Sequence, residues 1–162
     1  MLMPTEDHLL REQLVEALRK GNAHVDVFTA FKDFPGELYG KKPKGVPHSA
    51  WQLLEHIRIA LNDILNFSTK PNWVSPKWPD AYWPKEVAPK NVAAWKTSMK
   101  ALKADLDEFE KLIRNPESNL YAQIPWGEGQ TLLREVLLAI DHNSYHLGQL
   151  VLLRKQLGAW KE

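Results

Sequence analysis

The residues best able to do chemistry in this 162-residue chain are its histidines. His142 and His146 stand four positions apart, so on an α-helix they project about 40° apart with about one turn of rise between them. Two imidazoles placed this way can grip one divalent ion. The pair alone is a weak signal, because HxxxH recurs by chance and the glutamate of an HExxH protease motif is missing. Two core histidines, each hydrogen-bonded to a carbonyl or a side chain, is the competing reading. His56 bears on the choice: it follows Leu53 by three residues and precedes Ala60 by four, at the edge of an apolar helical stripe. Leaving a buried polar group unpaired costs about 1–3 kcal/mol, and three such groups would be a large share of a net stability of roughly 5–15 kcal/mol. A divalent ion satisfies all three at once, and three histidines plus an open position is the arrangement of a catalytic rather than a structural site. The chain has no cysteine, so imidazole nitrogen and carboxylate oxygen are the available ligands, and zinc, nickel and ferrous iron all suit them.

Other residues are candidates for a second shell or a substrate pocket. His24 falls on the apolar stripe of the first helix, where facing a metal or substrate competes with being a satisfied core histidine. His48 precedes His56 by eight residues, about 12 Å along a helix axis, which suits a rim or capping role. Glu135 precedes His142 by seven and shares its line of the helix. It could orient a ligand or act as general base, against the alternative of a surface carboxylate paired with Arg134. Asp141 and Gln149 have the same standing. Trp78 and Trp83, in a proline-rich segment, read equally as a roof over the bundle end and as a substrate lid. An ordinary imidazole pKa near 6.5 predicts metal affinity that falls as pH drops through roughly 6.

Four helices must position these groups. The first starts at Thr5, a plausible N-cap, carries Leu10, Leu14, Leu18, Gly21, His24, Val25 and Phe28 at helical spacing, and is expected to end near Phe34-Pro35-Gly36. A second runs roughly over 48–67, opened by the capping-box spacing of Ser49 and Gln52. Between residues 71 and 89, prolines 71, 76, 79, 84 and 89 and tryptophans 73, 78 and 83 exclude a helix or a central strand and predict a long loop. Asn91 can cap a third helix that ends at Asn115-Pro116, and Thr131 a fourth that reaches about Leu157 and is closed by Gly158. The expected fold is an all-α four-helix bundle in one domain over residues 1–162, the order of helices around it left open by the long connections. The fourth helix is apolar along two lines, so it must be buried on more than one side. With the aromatic surface of Trp160, this predicts a homodimer.

Composition narrows the classes further. A hydrophobic share of 44% against 25% charged residues is ordinary for a globular chain, and a formal net charge of +1 offers no field for a nucleic-acid backbone. No apolar run reaches the roughly 18 residues of a membrane span, and residues 1–7 lack a signal pattern, so a soluble, cytoplasmic protein is expected. No glycine-rich phosphate loop or GxSxG elbow occurs.

The stretch Asp141-His142-Asn143-Ser144-Tyr145-His146-Leu147-Gly148-Gln149-Leu150, with Leu157-Gly158-Ala159-Trp160 after it and Trp51-Gln52-Leu53-Leu54-Glu55-His56-Ile57 before it, resembles the DinB/YfiT-like superfamily. The resemblance implies a four-helix bundle that binds one divalent metal through a helix-two histidine and two helix-four histidines, which fall on His56, His142 and His146. It further implies a metal-dependent transferase of the thiol S-transferase type, or a hydrolase, acting on a small molecule, with a low-molecular-weight thiol as a candidate co-substrate. Glu135 is the candidate base. A non-catalytic module that holds a metal or small ligand is the alternative.

Overall fold

The structure is a computed structural model and describes residues 5–160. Its elements are α1 (Glu6–Lys20), α2 (Val27–Phe31), α3 (Ala50–Thr69), α4 (Val92–Arg114) and α5 (Leu132–Gln156), with 3₁₀ turns at Gly36–Leu38 and Asp80–Tyr82. No strand occurs among the described residues.

Each long helix begins where a side chain can take up an otherwise orphaned backbone N–H. Thr5 accepts from His8, Asn91 from Ala94 and Thr131 from Arg134, while Ser49 and Gln52 close a reciprocal capping box. The first helix departs from expectation. It stops at Lys20 because Gly21 adopts the left-handed conformation at φ 73° and Asn22 continues it at φ 46°. A Cβ on Gly21 would lie 2.6 Å from the His24 ring, so glycine is required there sterically as well. Asp26 then caps the separate five-residue α2, accepting from the N–H groups of Phe28 and Thr29. The apolar spacing continued across this break, and the helix did not.

Packing sets the order that the sequence left open. α3 packs on α4 and α5, and α1 also packs on α4 and α5. Hence α1 stands diagonally opposite α3, and α4 opposite α5, with both the 21–49 and the 115–131 connections crossing the bundle. The core is continuous: Leu53, Leu54, Ile57 and Leu61 of α3 meet Leu102, Leu106, Phe109 and Ile113 of α4 and Val136, Ala139, Leu150 and Leu153 of α5. α5 also receives α2, which accounts for its second apolar line. Among the described residues, no helix is long and apolar enough to cross a membrane.

The segment between α3 and α4 holds only the 3₁₀ turn, and it is tied down by one buried carboxylate. Asp63 on α3 accepts from Trp73 Nε1 at 2.7 Å and from Tyr82 Oη at 2.5 Å. This fixes both arms of the segment against α3 and brings the Tyr82 carbonyl and the Trp83 ring over His56.

Candidate metal centre

α3 and α5 run side by side, and their facing seam brings His56, His142 and His146 together. His56 and His146 are 2% and 7% exposed, and His142 is half-buried. The Nε2 atom of His56 lies 3.0 Å from Nε2 of His146 and 3.0 Å from Nε2 of His142. One ligand atom from each residue falls within 4.8 Å of the others. Two imidazole nitrogens about 2.0–2.1 Å from one tetrahedral zinc would stand about 3.3 Å apart, so the two separations from His56 suit a shared ion.

Proton counting makes the fit sharper. His56 Nδ1 lies 2.9 Å from the Tyr82 carbonyl oxygen, and His146 Nδ1 lies 2.8 Å from Gln149 Oε1. Both partners are acceptors, so both Nδ1 atoms carry the hydrogen and both Nε2 atoms present lone pairs. Two lone pairs therefore face each other at 3.0 Å with no proton between them. His142 offers at most a partial remedy. With hydrogen on Nδ1, a third lone pair enters the cluster. With hydrogen on Nε2 it can donate to His56 Nε2 at 3.0 Å, but the His146 Nε2 lone pair is still without a proton and its own buried Nδ1 is an acceptor with no partner. Protonating a ring is not a remedy near neutral pH: burial pushes His56 and His142 down to about 4, helped by the other imidazoles, and burial lowers His146 as well. His56, His142 and His146 would hold a divalent cation through these lone pairs, and the Nδ1–H bonds to the Tyr82 carbonyl and Gln149 Oε1 would keep the His56 and His146 rings oriented toward it.

Aromatic rings pack the His56 flank. Trp83 lies between two imidazoles, stacked on His56 at 3.7 Å and on His48 at 3.8 Å. Above the three histidines is a cavity of about 410 Å³ whose walls include His48, Trp78, Trp83, Asp141, Tyr145 and Gln149. The structure thus gathers His48, Trp78, Trp83, Asp141 and Gln149 around the cluster. His48 lines the cavity wall, while Trp78 is 69% exposed.

Two candidates lie elsewhere. His24 is exposed, because the chain leaves the helix at Gly21; its ring bridges the Val25 carbonyl oxygen at 2.9 Å and Ser144 Oγ at 3.0 Å, away from the cavity. This corrects the expectation of a buried histidine on the first helix. Glu135 is buried, at 2% exposure, but pairs with Arg134 Nη1 at 2.7 Å and is not part of the cavity wall.

The residues that sequence reasoning missed are Asp63, Tyr82 and Tyr145. Asp63 had a usable signal: it follows His56 by seven residues and shares its line on α3, a carboxylate on a buried stripe. Tyr82 contributes a backbone carbonyl, for which no side-chain pattern exists. Its hydroxyl is held un-ionised, its pKa raised by burial and by the Asp63 carboxylate that accepts from it.

No curated protein and no solved structure matches the chain. The profile of the DinB superfamily matches residues 22–150, a span that holds all three clustered histidines and leaves α1 outside it. With an all-helical bundle, a three-histidine cluster able to hold a metal ion and a match over most of its length, this chain belongs to the DinB superfamily.

Proposed function

We propose that the protein is a metal-dependent enzyme that transfers a low-molecular-weight thiol to an electrophilic small molecule. The observation that carries this reading is the cluster itself: three imidazole nitrogens and no carboxylate among the described residues, at the floor of an open cavity of about 410 Å³. Three protein ligands leave a position for an exogenous group. An ion held by His56, His142 and His146, with zinc, nickel or iron all suited to imidazole, would supply Lewis acidity that lowers the pKa of a thiol or water entering that position. The chain's own residues do the rest. Tyr82 and Gln149 fix the rings of His56 and His146, and Trp83 covers the cluster. Asp141, the carboxylate on the cavity wall, accepts the thiol proton. The sulfur forms a bond to the electrophilic carbon, and the leaving group departs with its electron pair. The same carboxylate would accept a proton from water in place of a thiol, which supports hydrolysis as the second reading. Glu135, committed to Arg134, serves the bundle and not the reaction.

Metal-loaded protein mixed with a panel of thiols and model electrophiles, and separately with activated esters, tests this. Thiol consumption that needs the metal and is lost in His142→Ala supports it. Stoichiometric metal without turnover of any pair would reduce the protein to a metal-holding module. We further propose a homodimer, supported by Leu137 and Tyr145, which stay 50% and 66% exposed on α5. Light scattering that finds only an 18.7 kDa species at micromolar concentration would overturn it.

A further inference from the structure

A second cavity, of about 290 Å³, adjoins the first, and the two share His48 and Gln149 as walls. Its character differs from that of the histidine cavity. Leu53 and Leu153, each 1% exposed, contribute from the core, Leu152 from the surface of α5, and Val46 and Pro47 from the strap that precedes α3. The strap is shaped by a turn: Val46 N–H donates to the Pro43 carbonyl at 3.1 Å, and Gly45 takes φ 83°. Nothing lies within 4 Å of where a Gly45 Cβ would be, so the turn is not packed shut. Gln149 uses its amide oxygen on His146, and its NH2 group remains as a donor on the wall between the cavities. The stacked His48 ring is the other polar group on that wall.

We infer that this side cavity receives the apolar tail of the substrate, so the molecule served by the histidine cluster is a compact amphiphile. One end is a polar, metal-ligating head. The other is an alkyl or acyl chain that passes between Gln149 and His48 and lies against Val46, Leu53, Leu152 and Leu153. The inference rests on the open ligand position proposed above. It goes further, because a three-histidine cluster says nothing about the remainder of its substrate. A largely apolar chamber, with Lys44 and Gln156 also on its walls, next to a polar reacting site is a common way in which small-molecule sites separate orientation from affinity.

Alkyl hydroxamates from acetohydroxamate to octanohydroxamate test it, titrated by calorimetry into zinc-loaded protein. The head group reports the open position and the chain reports the side cavity. The dissociation constant is expected to fall by about fourfold per added methylene, the gain for burying one methylene, until the cavity is full. Val46→Trp, which fills the chamber, is expected to remove the chain-length dependence and leave acetohydroxamate binding unchanged. Leu152→Lys, at an exposed position that the fold does not need, is expected to weaken the long chains alone. Acetohydroxamate and octanohydroxamate binding with equal affinity would overturn the inference and leave the metal reading intact. Failure of every hydroxamate to bind protein that carries zinc would overturn the open position, and the inference with it.

Discussion

Two helix seams of this bundle handle buried or half-buried polar residues in opposite ways. Where α1 meets α4, each cation is answered by carboxylates or carbonyls from the chain itself. Arg19 pairs with Asp107 at 3.0 Å and Glu110 at 3.3 Å, and Arg114 pairs with Glu12 and Glu110. Arg11, 5% exposed, donates to the carbonyls of Ile113 at 2.7 Å and Ser118 at 2.6 Å and to Asp7 at 2.7 Å. Where α3 meets α5, His56 and His146 turn lone pairs toward each other, and among the described residues no tautomer of His142 supplies a proton to both. A seam whose charges are paired within the fold, Arg19 Nη1 by charge alone and without a hydrogen bond, holds the fold together. One whose polar groups converge unsatisfied is shaped for something the chain does not contain.

Substitutions should separate the two seams by what they break. The largest effect is expected at the histidines: His56→Ala, His142→Ala and His146→Ala should each abolish stoichiometric metal and the metal-dependent rise in melting temperature, while exposed His8→Ala keeps both. Elemental analysis and thermal melts check this. Arg11→Ala should do the reverse. It strands buried carbonyls and is expected to cost about 3 kcal/mol in denaturant unfolding, with full metal occupancy retained.

Acid sharpens the contrast. His56 and His142 have folded pKa values of about 4, below the ordinary value near 6.5, so between these limits the unfolded chain binds more protons than the folded one. The metal-free protein should therefore lose the stability that these neutral imidazoles carry as pH falls from 6.5 to about 4. By the same shifts, metal binding should persist below pH 6, further into acid than an ordinary imidazole would allow. Melts of apo and metal-loaded protein across that range check both.

Smaller effects lie one step from the ligands. Asp63→Ala frees Tyr82 and Trp73, and with them the carbonyl that holds His56 Nδ1. Metal affinity should weaken about 10- to 100-fold, measured by competition with a chelator, while saturating metal still binds one to one. The smallest change is expected from Arg19→Ala on the other seam, within about 1 kcal/mol and without effect on metal, because its ion pairs are partly solvated.

How much of this the sequence disclosed depends on whether the cause was local. The N-caps at Thr5, Ser49, Asn91 and Thr131 each depend on a side chain three residues from the N–H it satisfies, so all four are legible in the sequence. The HxxxH pair and His56 were legible because helical spacing determines which way each ring points. The end of the first helix was misjudged for a related reason: apolar residues recur in register through Phe28, and that rhythm outweighed Gly21-Asn22, where the backbone turns left-handed. His24 followed that error to a buried position it does not occupy. The Asp63 and Tyr82 latch depended on where a proline-rich segment folds back, a tertiary outcome that no periodicity encodes. Glu135 lay on the right line of α5, yet local geometry gave it to Arg134.

The claim that the α3–α5 seam exists to hold an ion is tested most directly by titrating the metal-free wild-type protein with zinc, nickel or ferrous iron while following the thermal melt and the bound stoichiometry. Four amphipathic helices already supply a core, so the apo protein should melt cooperatively. One ion per chain should then add about 2.7 kcal/mol at a hundredfold excess over Kd, or roughly 5–10 °C for a domain of this size. A wild-type protein that takes up none of these metals and shows no shift in melting temperature would contradict the account, and would mean that the three histidines settle their protons within the fold.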